Sequence, residues 1–164
     1  MQKLAAWKDA PDRKPLILWG ARQVGKTWLL KEFGKSYFEN VLYVSFYNNH
    51  KDADVFEQDY DTERILRTLA LQHHITIEAQ KTLIVFDEVQ AAPKVLESLK
   101  YFCEECPEYA VVAAGSLLGV SIHEGVSFPV GKVDILQLYP MTFSEFSPLP
   151  LSKRSPTPFQ QQAR

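Results

Sequence analysis

The chain is most tightly constrained by residues 20–27, which read GARQVGKT and fit the pattern G-x-x-x-x-G-K-[ST]. They directly follow the apolar run at 16–19, which predicts a buried strand. A strand, a loop with two glycines and a helix that opens near Gly25 would direct backbone N–H groups and the positive helix end at one point. The sequence therefore predicts a phosphate-binding loop, and the alternative is an ordinary glycine-rich turn before a surface helix.

The residue types in this loop predict individual contacts with a nucleoside triphosphate. Lys26 is expected to reach the β- and γ-phosphates, and the Thr27 hydroxyl is expected to hold Mg²⁺. Backbone N–H groups of the loop and of the first helical turn complete the cradle. The expected nucleotide-binding residues are Gly20, Ala21, Arg22, Gln23, Val24, Gly25, Lys26, Thr27 and Trp28.

A second chemical signal is the apolar run at 83–86, which is followed by Asp87 and Glu88. Apolar residues without alternation are typical of a strand that is buried on both faces of a parallel sheet. Beside a phosphate loop, Asp87 is expected to hold a water of the Mg²⁺ shell. Glu88, which should point the other way along the pleat, is expected to orient and deprotonate the attacking water. The alternative is that the two acidic residues only begin a loop.

The other patterns predict alternating strands and helices. Gly34 is expected to end the helix after the loop in the left-handed conformation. Thr62 is expected to cap a new helix after a break in a long helical segment. The predicted strands are 41–46, 109–114 and 132–138, the predicted helical segments are 54–79 and 93–106, and a further helix could begin at 142–146.

Ser116 has two interpretations. It follows the strand at 109–114, and from there a small polar side chain would lie between Asp87 and the γ-phosphate. ATPases of the additional-strand class sense that phosphate from this position. The alternative is that Ser116 only caps a short helix at 117–122. The sequence leaves both open.

Composition and charge narrow the class of protein. A hydrophobic share of 46% and a charged share of 23% over 164 residues are typical of one folded globular domain. The net charge of −2 gives no indication of nucleic-acid or anionic-membrane binding. No apolar run approaches the roughly 18 residues of a membrane helix, and no signal-like segment follows Met1, so a cytoplasmic location is the default expectation. Cys103 and Cys106 lack the second ligand pair of a zinc site, so no metal or redox role is expected for them.

Four motifs together resemble the AAA-type ATPase domain of a large prokaryotic family, over roughly residues 3–146. They are GARQVGKT at 20–27, FDEVQ at 86–90, AGSLLG at 114–119 and YPMTFSEF at 139–146. The Arg-Gln pair in the loop and the glutamine after the acidic pair are marks of the family rather than of ATPases in general. The resemblance implies an AAA-like fold and ATP with Mg²⁺. A protein partner is expected as well, but the resemblance does not supply its identity. The resemblance also implies the roles given above for Lys26, Thr27, Asp87, Glu88 and Ser116.

The chain departs from this family in two places. Members usually carry Gly-Arg before the fifth strand, where this chain has Gly131-Lys132. Lys132 is expected to be a weaker stand-in for the arginine, and otherwise the arginine would come from Arg22 or from another subunit. Family members also usually continue into a C-terminal domain of unknown function. Residues 147–164 are instead rich in proline and glutamine, and they are expected to form a disordered tail after a domain at 1–146.

The sequence as a whole predicts a three-layer α/β fold with a mainly parallel five-stranded sheet, the phosphate-loop strand near its middle and the ligand at the carboxyl ends of the strands. The leading functional prediction is Mg²⁺-dependent ATP binding with slow hydrolysis. Two alternatives stay open: a nucleotide-gated interaction module without useful turnover, and a small-molecule kinase. A GTPase is not favoured, because the N-K-x-D-like motif that reads guanine is missing.

Overall fold

A computed structural model describes residues 1–116, 129 and 131–140 of the chain. Helices and strands alternate, as the sequence predicts. The strands are β1 (Leu16–Gly20), β2 (Asn40–Ser45), β3 (Thr82–Asp87), β4 (Ala110–Ser116) and β5 (Asp134–Leu138). The helices are α1 (Gln2–Lys8), α2 (Lys26–Tyr37), α3 (His50–Gln58), α4 (Thr62–Gln72) and α5 (Pro93–Glu105), and a short 3₁₀ turn spans Val89–Ala91.

The five strands form one sheet in the order β2-β3-β4-β1-β5, and all four pairings are parallel. This confirms the predicted α/β fold with a five-stranded sheet. β4 is inserted between β1 and β3, so Gly20 is the register partner of Ser116, and Ala114 is the partner of Asp87. Because parallel strands end at the same edge, the loop after β1 and the acidic pair after β3 lie at one edge of the sheet.

Helices cover both faces of the sheet, which gives the three predicted layers. Side chains alternate along each strand, so Leu16 and Leu18 pack toward α1 and α2, whereas Ile17 and Trp19 pack toward α3, α4 and α5. β1, β3 and β4 are buried along their whole length. They therefore form a rigid base for the residues that follow their carboxyl ends.

Two local predictions are wrong. Gly34 does not end α2, which continues to Tyr37, because Gly34 lies where the helix packs most closely on the sheet. A Cβ atom at this position would lie 2.5 Å from Val41 Cγ2. Thr62 is not the cap of α4, since Asp61 is. The Asp61 carboxylate accepts a hydrogen bond from the Arg64 amide, and Thr62 is the first helical residue.

Some predictions lie outside the described residues. These are the short helix at 117–122, the helix start at 142–146 and the disordered tail at 147–164. Among the helices that the structure describes, none has the length and apolarity needed to cross a membrane.

Candidate functional site

The loop after β1 has the backbone geometry that its sequence predicts. Gln23 and Gly25 adopt positive φ angles of 63° and 90°, and Gly25 stands directly before the first residue of α2. Gly20 lies close to β5, since a Cβ there would be 2.7 Å from the Leu138 carbonyl oxygen. The chain can therefore curl at residues 20–25 so that the amino end of α2 faces the loop, the arrangement that favours an anion.

Lys26 is buried beneath the loop. Its Nζ donates hydrogen bonds to the carbonyl oxygens of Gly20 and Ala21, at 3.0 and 2.8 Å. These bonds hold the ammonium group inside the loop, where the sequence predicts that a phosphate binds.

Asp87 and Thr27 are in direct contact. The Thr27 hydroxyl donates to Asp87 Oδ2 at 2.8 Å. Asp87 is the last residue of β3 and shares the α2 side of the sheet with Leu83 and Val85. The structure thus brings together the two side chains for which the sequence predicts a role in holding Mg²⁺.

Tyr43 completes this contact, and the sequence reasoning missed it. Its hydroxyl donates to the same Asp87 oxygen, and Lys31 Nζ lies 4.6 Å from the centre of the Tyr43 ring. Burial raises the pKa of Tyr43, and the hydrogen bond to Asp87 acts in the same direction, so the phenol stays a donor. The alternation along β2 could have indicated Tyr43, because it faces α2 from the strand next to β3.

Glu88 lies outside β3. It adopts a positive φ of 58°, and its amide donates to Asp87 Oδ1 at 2.9 Å. Its side chain is reached by Gln90, whose Nε2 donates to Glu88 Oε2. Glu88 therefore does not continue the pleat of β3 as predicted. The chain turns at this residue, and the turn directs the carboxylate toward the 3₁₀ segment.

Ser116 is the last residue of β4 and is buried beside the loop. It pairs in register with Gly20 and lies on the sheet face that also carries Ala114, Val112 and Asp87. Ser116 therefore stands between the loop and the end of β3, and its contact with a terminal phosphate stays a prediction. The alternative, a cap for a helix at 117–122, concerns residues outside the described part of the chain.

An open cavity of about 740 Å³ lies against the loop. It is lined by Arg22, Gln23, Gly25, Lys26, Thr27 and Trp28, and by Lys31, Tyr47 and Glu88. Trp28 and Tyr47 are both mostly exposed. Five of the predicted loop residues, together with Trp28 and Glu88, thus share one space that is large enough for a ligand of nucleotide size.

Lys132 is not brought to this site. It precedes β5, which runs parallel to β1 in the register Leu16↔Asp134. Lys132 therefore lies at the amino edge of the sheet, about 20 Å from the loop at ~3.3 Å per strand residue. Its Nζ forms a salt bridge with Glu104 Oε1 at 2.9 Å. The expectation of a stand-in for an arginine at the γ-phosphate is wrong for Lys132, because a parallel strand begins at the edge opposite to the ligand.

The donor set suits Mg²⁺. Thr27 offers a hydroxyl and Asp87 a carboxylate, and Mg²⁺ prefers oxygen ligands while keeping several waters or phosphate oxygens. Within the described ranges, no group of three or more His, Cys, Asp or Glu side chains is arranged to hold a metal by itself. The chain therefore fits a metal that is bound together with a phosphate ligand.

Comparison with known proteins agrees with this geometry. A family model described as an AAA domain matches residues 12–147, which include the loop, the end of β3 and β4. A search of curated proteins found no match. The family match indicates a nucleotide-binding domain.

Proposed function

Because the chain belongs to the AAA domain family, we propose that it binds ATP together with Mg²⁺ and hydrolyses the ATP slowly. The single observation that carries the proposal is the hydrogen bond from Thr27 to Asp87. It joins the helix of the phosphate loop to the acidic end of β3, and both groups are needed on one Mg²⁺–triphosphate. We assign the domain to residues 1–146.

In this proposal the loop binds the triphosphate. The backbone N–H groups of residues 20–28 face the phosphates, and Lys26 exchanges the Gly20 and Ala21 carbonyls for phosphate oxygens. Thr27 and Asp87 would hold Mg²⁺, which supplies charge neutralisation on the phosphates when it is bound. Tyr43 keeps the Asp87 carboxylate aimed at Thr27.

Hydrolysis is assigned to Glu88 and Ser116. Glu88 lines the cavity together with Lys26 and Thr27, which supports a role for its carboxylate in accepting a proton from a water that attacks the γ-phosphate. Ser116, next to Gly20, is placed to donate a hydrogen bond to the γ-phosphate.

The proposed rate of hydrolysis is slow because it depends on whether an arginine reaches the γ-phosphate. An arginine at the γ-phosphate contributes a factor of about 10³ to 10⁵ in related reactions. Arg22 lines the cavity, but its side chain is exposed and would have to fold onto the phosphates. Otherwise the arginine comes from another subunit. The isolated chain then hydrolyses ATP slowly because it lacks this arginine.

A nucleotide-gated interaction module is the second candidate, and one observation favours it. The proposed binding residues lie in the loop at 20–25, on α2 and at the end of β3, and among the described residues that line the cavity Arg22 is the one arginine. Such a chain would bind ATP and change its surface without useful turnover. A small-molecule kinase is less well supported, since no arginine occurs between Arg67 and Arg154 to form a lid.

The test compares binding with hydrolysis. Calorimetry gives the affinities for ATP and GTP, each with Mg²⁺ or EDTA, and phosphate release gives the rate. Lys26→Ala should weaken ATP binding at least a hundredfold, whereas Lys35→Ala, an exposed lysine on the same helix, should leave it unchanged. Glu88→Gln should keep the affinity and abolish phosphate release. Tight binding with no release above the Glu88→Gln background would favour the interaction module.

A further inference from the structure

Within the part of the chain that the structure describes, the side-chain amide of Gln90 makes one hydrogen bond, which it donates to Glu88. Among the described residues, Gln90 Oε1 and Gln72 Oε1 are the side-chain oxygens that are buried without a partner. Burying an amide oxygen in this way costs free energy, so an apolar residue would suit position 90 better if the side chain only filled space. Compared with an apolar residue at position 90, glutamine adds the Nε2–H group that donates to Glu88.

The side chain of Gln90 occupies the space next to Gly115, which has no side chain of its own. A Cβ atom at position 115 would lie 2.8 Å from Gln90 Oε1, while its distances to Val89 Cγ2 and Trp19 Cζ3 would be 3.4 and 3.6 Å. Only the glutamine would be displaced, because the other contacts are ordinary van der Waals distances. The end of β4 thus carries Ser116 on the loop side of the sheet and accommodates Gln90 on the other side.

Among the described residues, a hydrogen-bond donor holds the carboxylate of Glu88 at one of its two oxygens. Gln90 Nε2 contacts Oε2, and no described residue donates a hydrogen bond to Oε1. The backbone of Glu88 is fixed by its amide bond to Asp87 Oδ1 and by the left-handed turn. One oxygen is therefore anchored, and the other is left to accept a proton.

We propose that Gln90 is a positioning residue for Glu88, and that Gly115 is required because any side chain there would displace the Gln90 amide. The inference deepens the proposed function and rests on it, since the orientation of Glu88 matters for rate only if Glu88 activates water. Gln90 itself contacts neither the nucleotide nor the metal in this scheme. It acts through the Glu88 carboxylate alone.

The kinetic test uses Gln90→Met, which keeps the length of the side chain and removes the N–H donor. Gln72→Met is the matched control, since it removes the other amide oxygen that is buried without a partner, at the end of α4. We expect Gln90→Met to lower kcat at least tenfold with Mg²⁺–ATP affinity within twofold of wild type, and Gly115→Ala to do the same. An unchanged or raised kcat, or equal losses of rate and affinity, would overturn the inference.

A second readout needs no turnover. In ¹H–¹⁵N spectra of the nucleotide-free chain, the side-chain amide signals of Gln90 are identified by their loss in Gln90→Met. These signals should move in Glu88→Ala and in Gly115→Ala, while those of Gln72 should not. Stationary Gln90 signals would refute the contact. A wild-type chain that releases no phosphate would count against the proposed function alone, and the amide signals would then decide whether Gln90 holds Glu88.

Discussion

The Thr27 hydroxyl and the Asp87 carboxylate lie 2.8 Å apart although 60 residues separate them in the chain. Thr27 is in the first turn of α2, and Asp87 ends β3. They meet because α2 packs on the face of the sheet to which Asp87 points. This contact pairs the helix of the phosphate loop with a carboxylate. Substituting Thr27 or Asp87 alone tests the role of each side chain separately.

Asp87→Asn should remove most of the benefit of Mg²⁺ for ATP binding. The amide keeps the shape of the side chain and can still accept hydrogen bonds from Thr27 and Tyr43, but it lacks the negative charge that the metal prefers. We expect the ratio of ATP affinities with Mg²⁺ and with EDTA to fall at least tenfold, as measured by calorimetry. Asp54→Asn, at an exposed position on α3, is the control. An unchanged ratio would show that Asp87 does not serve the metal.

Tyr43→Phe should destabilise the folded chain by about 1.5–3 kcal/mol, the usual contribution of a hydrogen bond to a charged acceptor. The ring and its packing beneath Lys31 remain, so the loss isolates the bond to Asp87. Urea unfolding monitored by circular dichroism measures the difference. Tyr37→Phe, whose ring packs on Phe33 at a partly exposed position, should cost less. Equal effects of the two substitutions would contradict the assignment.

Lys132→Ala should leave ATP affinity and phosphate release within twofold of wild type. Lys132 is bonded to Glu104 at the edge of the sheet opposite to the loop. Arg22→Ala should in contrast lower the rate, because Arg22 lines the cavity. Both variants are compared in one phosphate-release assay, and a tenfold loss in Lys132→Ala would show that the lysine reaches the nucleotide after all.

Gly34→Ala should destabilise the chain by about 1–3 kcal/mol through overpacking, although alanine favours a helix over glycine by about 1 kcal/mol. The new Cβ would lie 2.5 Å from Val41 Cγ2. The same substitution in a Val41→Ala background should cost less, since the colliding methyl group is gone. Chemical denaturation of the four chains gives the coupling, and its absence would mean that the α2–β2 contact is looser than described.

Tyr60→Phe should flatten the loss of stability at high pH. Burial, and then the hydrogen bond to Glu97, raise the pKa of Tyr60 from 10.0 to about 12. The stabilisation from this phenol is therefore complete below pH 10 and is lost between pH 10 and 12, because the unfolded chain releases the proton first. Urea midpoints across this range measure the slope. Tyr139→Phe, at a mostly exposed position, should keep the wild-type slope, and identical slopes for both variants would contradict the expectation.

The sequence determined the parts of the site that depend on local pattern. The loop at 20–27, the apolar strand before Asp87 and the strand before Ser116 are contiguous, so their residue order alone indicates strand, loop and helix. Parallel strands place their carboxyl ends at one edge, and this brings the three segments together without further information.

Only the tertiary structure decided which side chains meet across the sheet. The alternation along β2 indicates the face on which Tyr43 lies, but its contact with Asp87 and the fit of Gln90 against Gly115 depend on how distant segments pack together. The prediction that Gly34 ends the helix is wrong because the close approach of Gly34 to Val41 arises only once α2 packs on β2. The prediction for Lys132 is wrong because the direction of β5 determines the edge of the sheet at which this strand begins, and Lys132 lies just before it. Local residue types specify the elements of this chain, whereas contacts between distant residues depend on register and on strand direction, which are set when the whole sheet assembles.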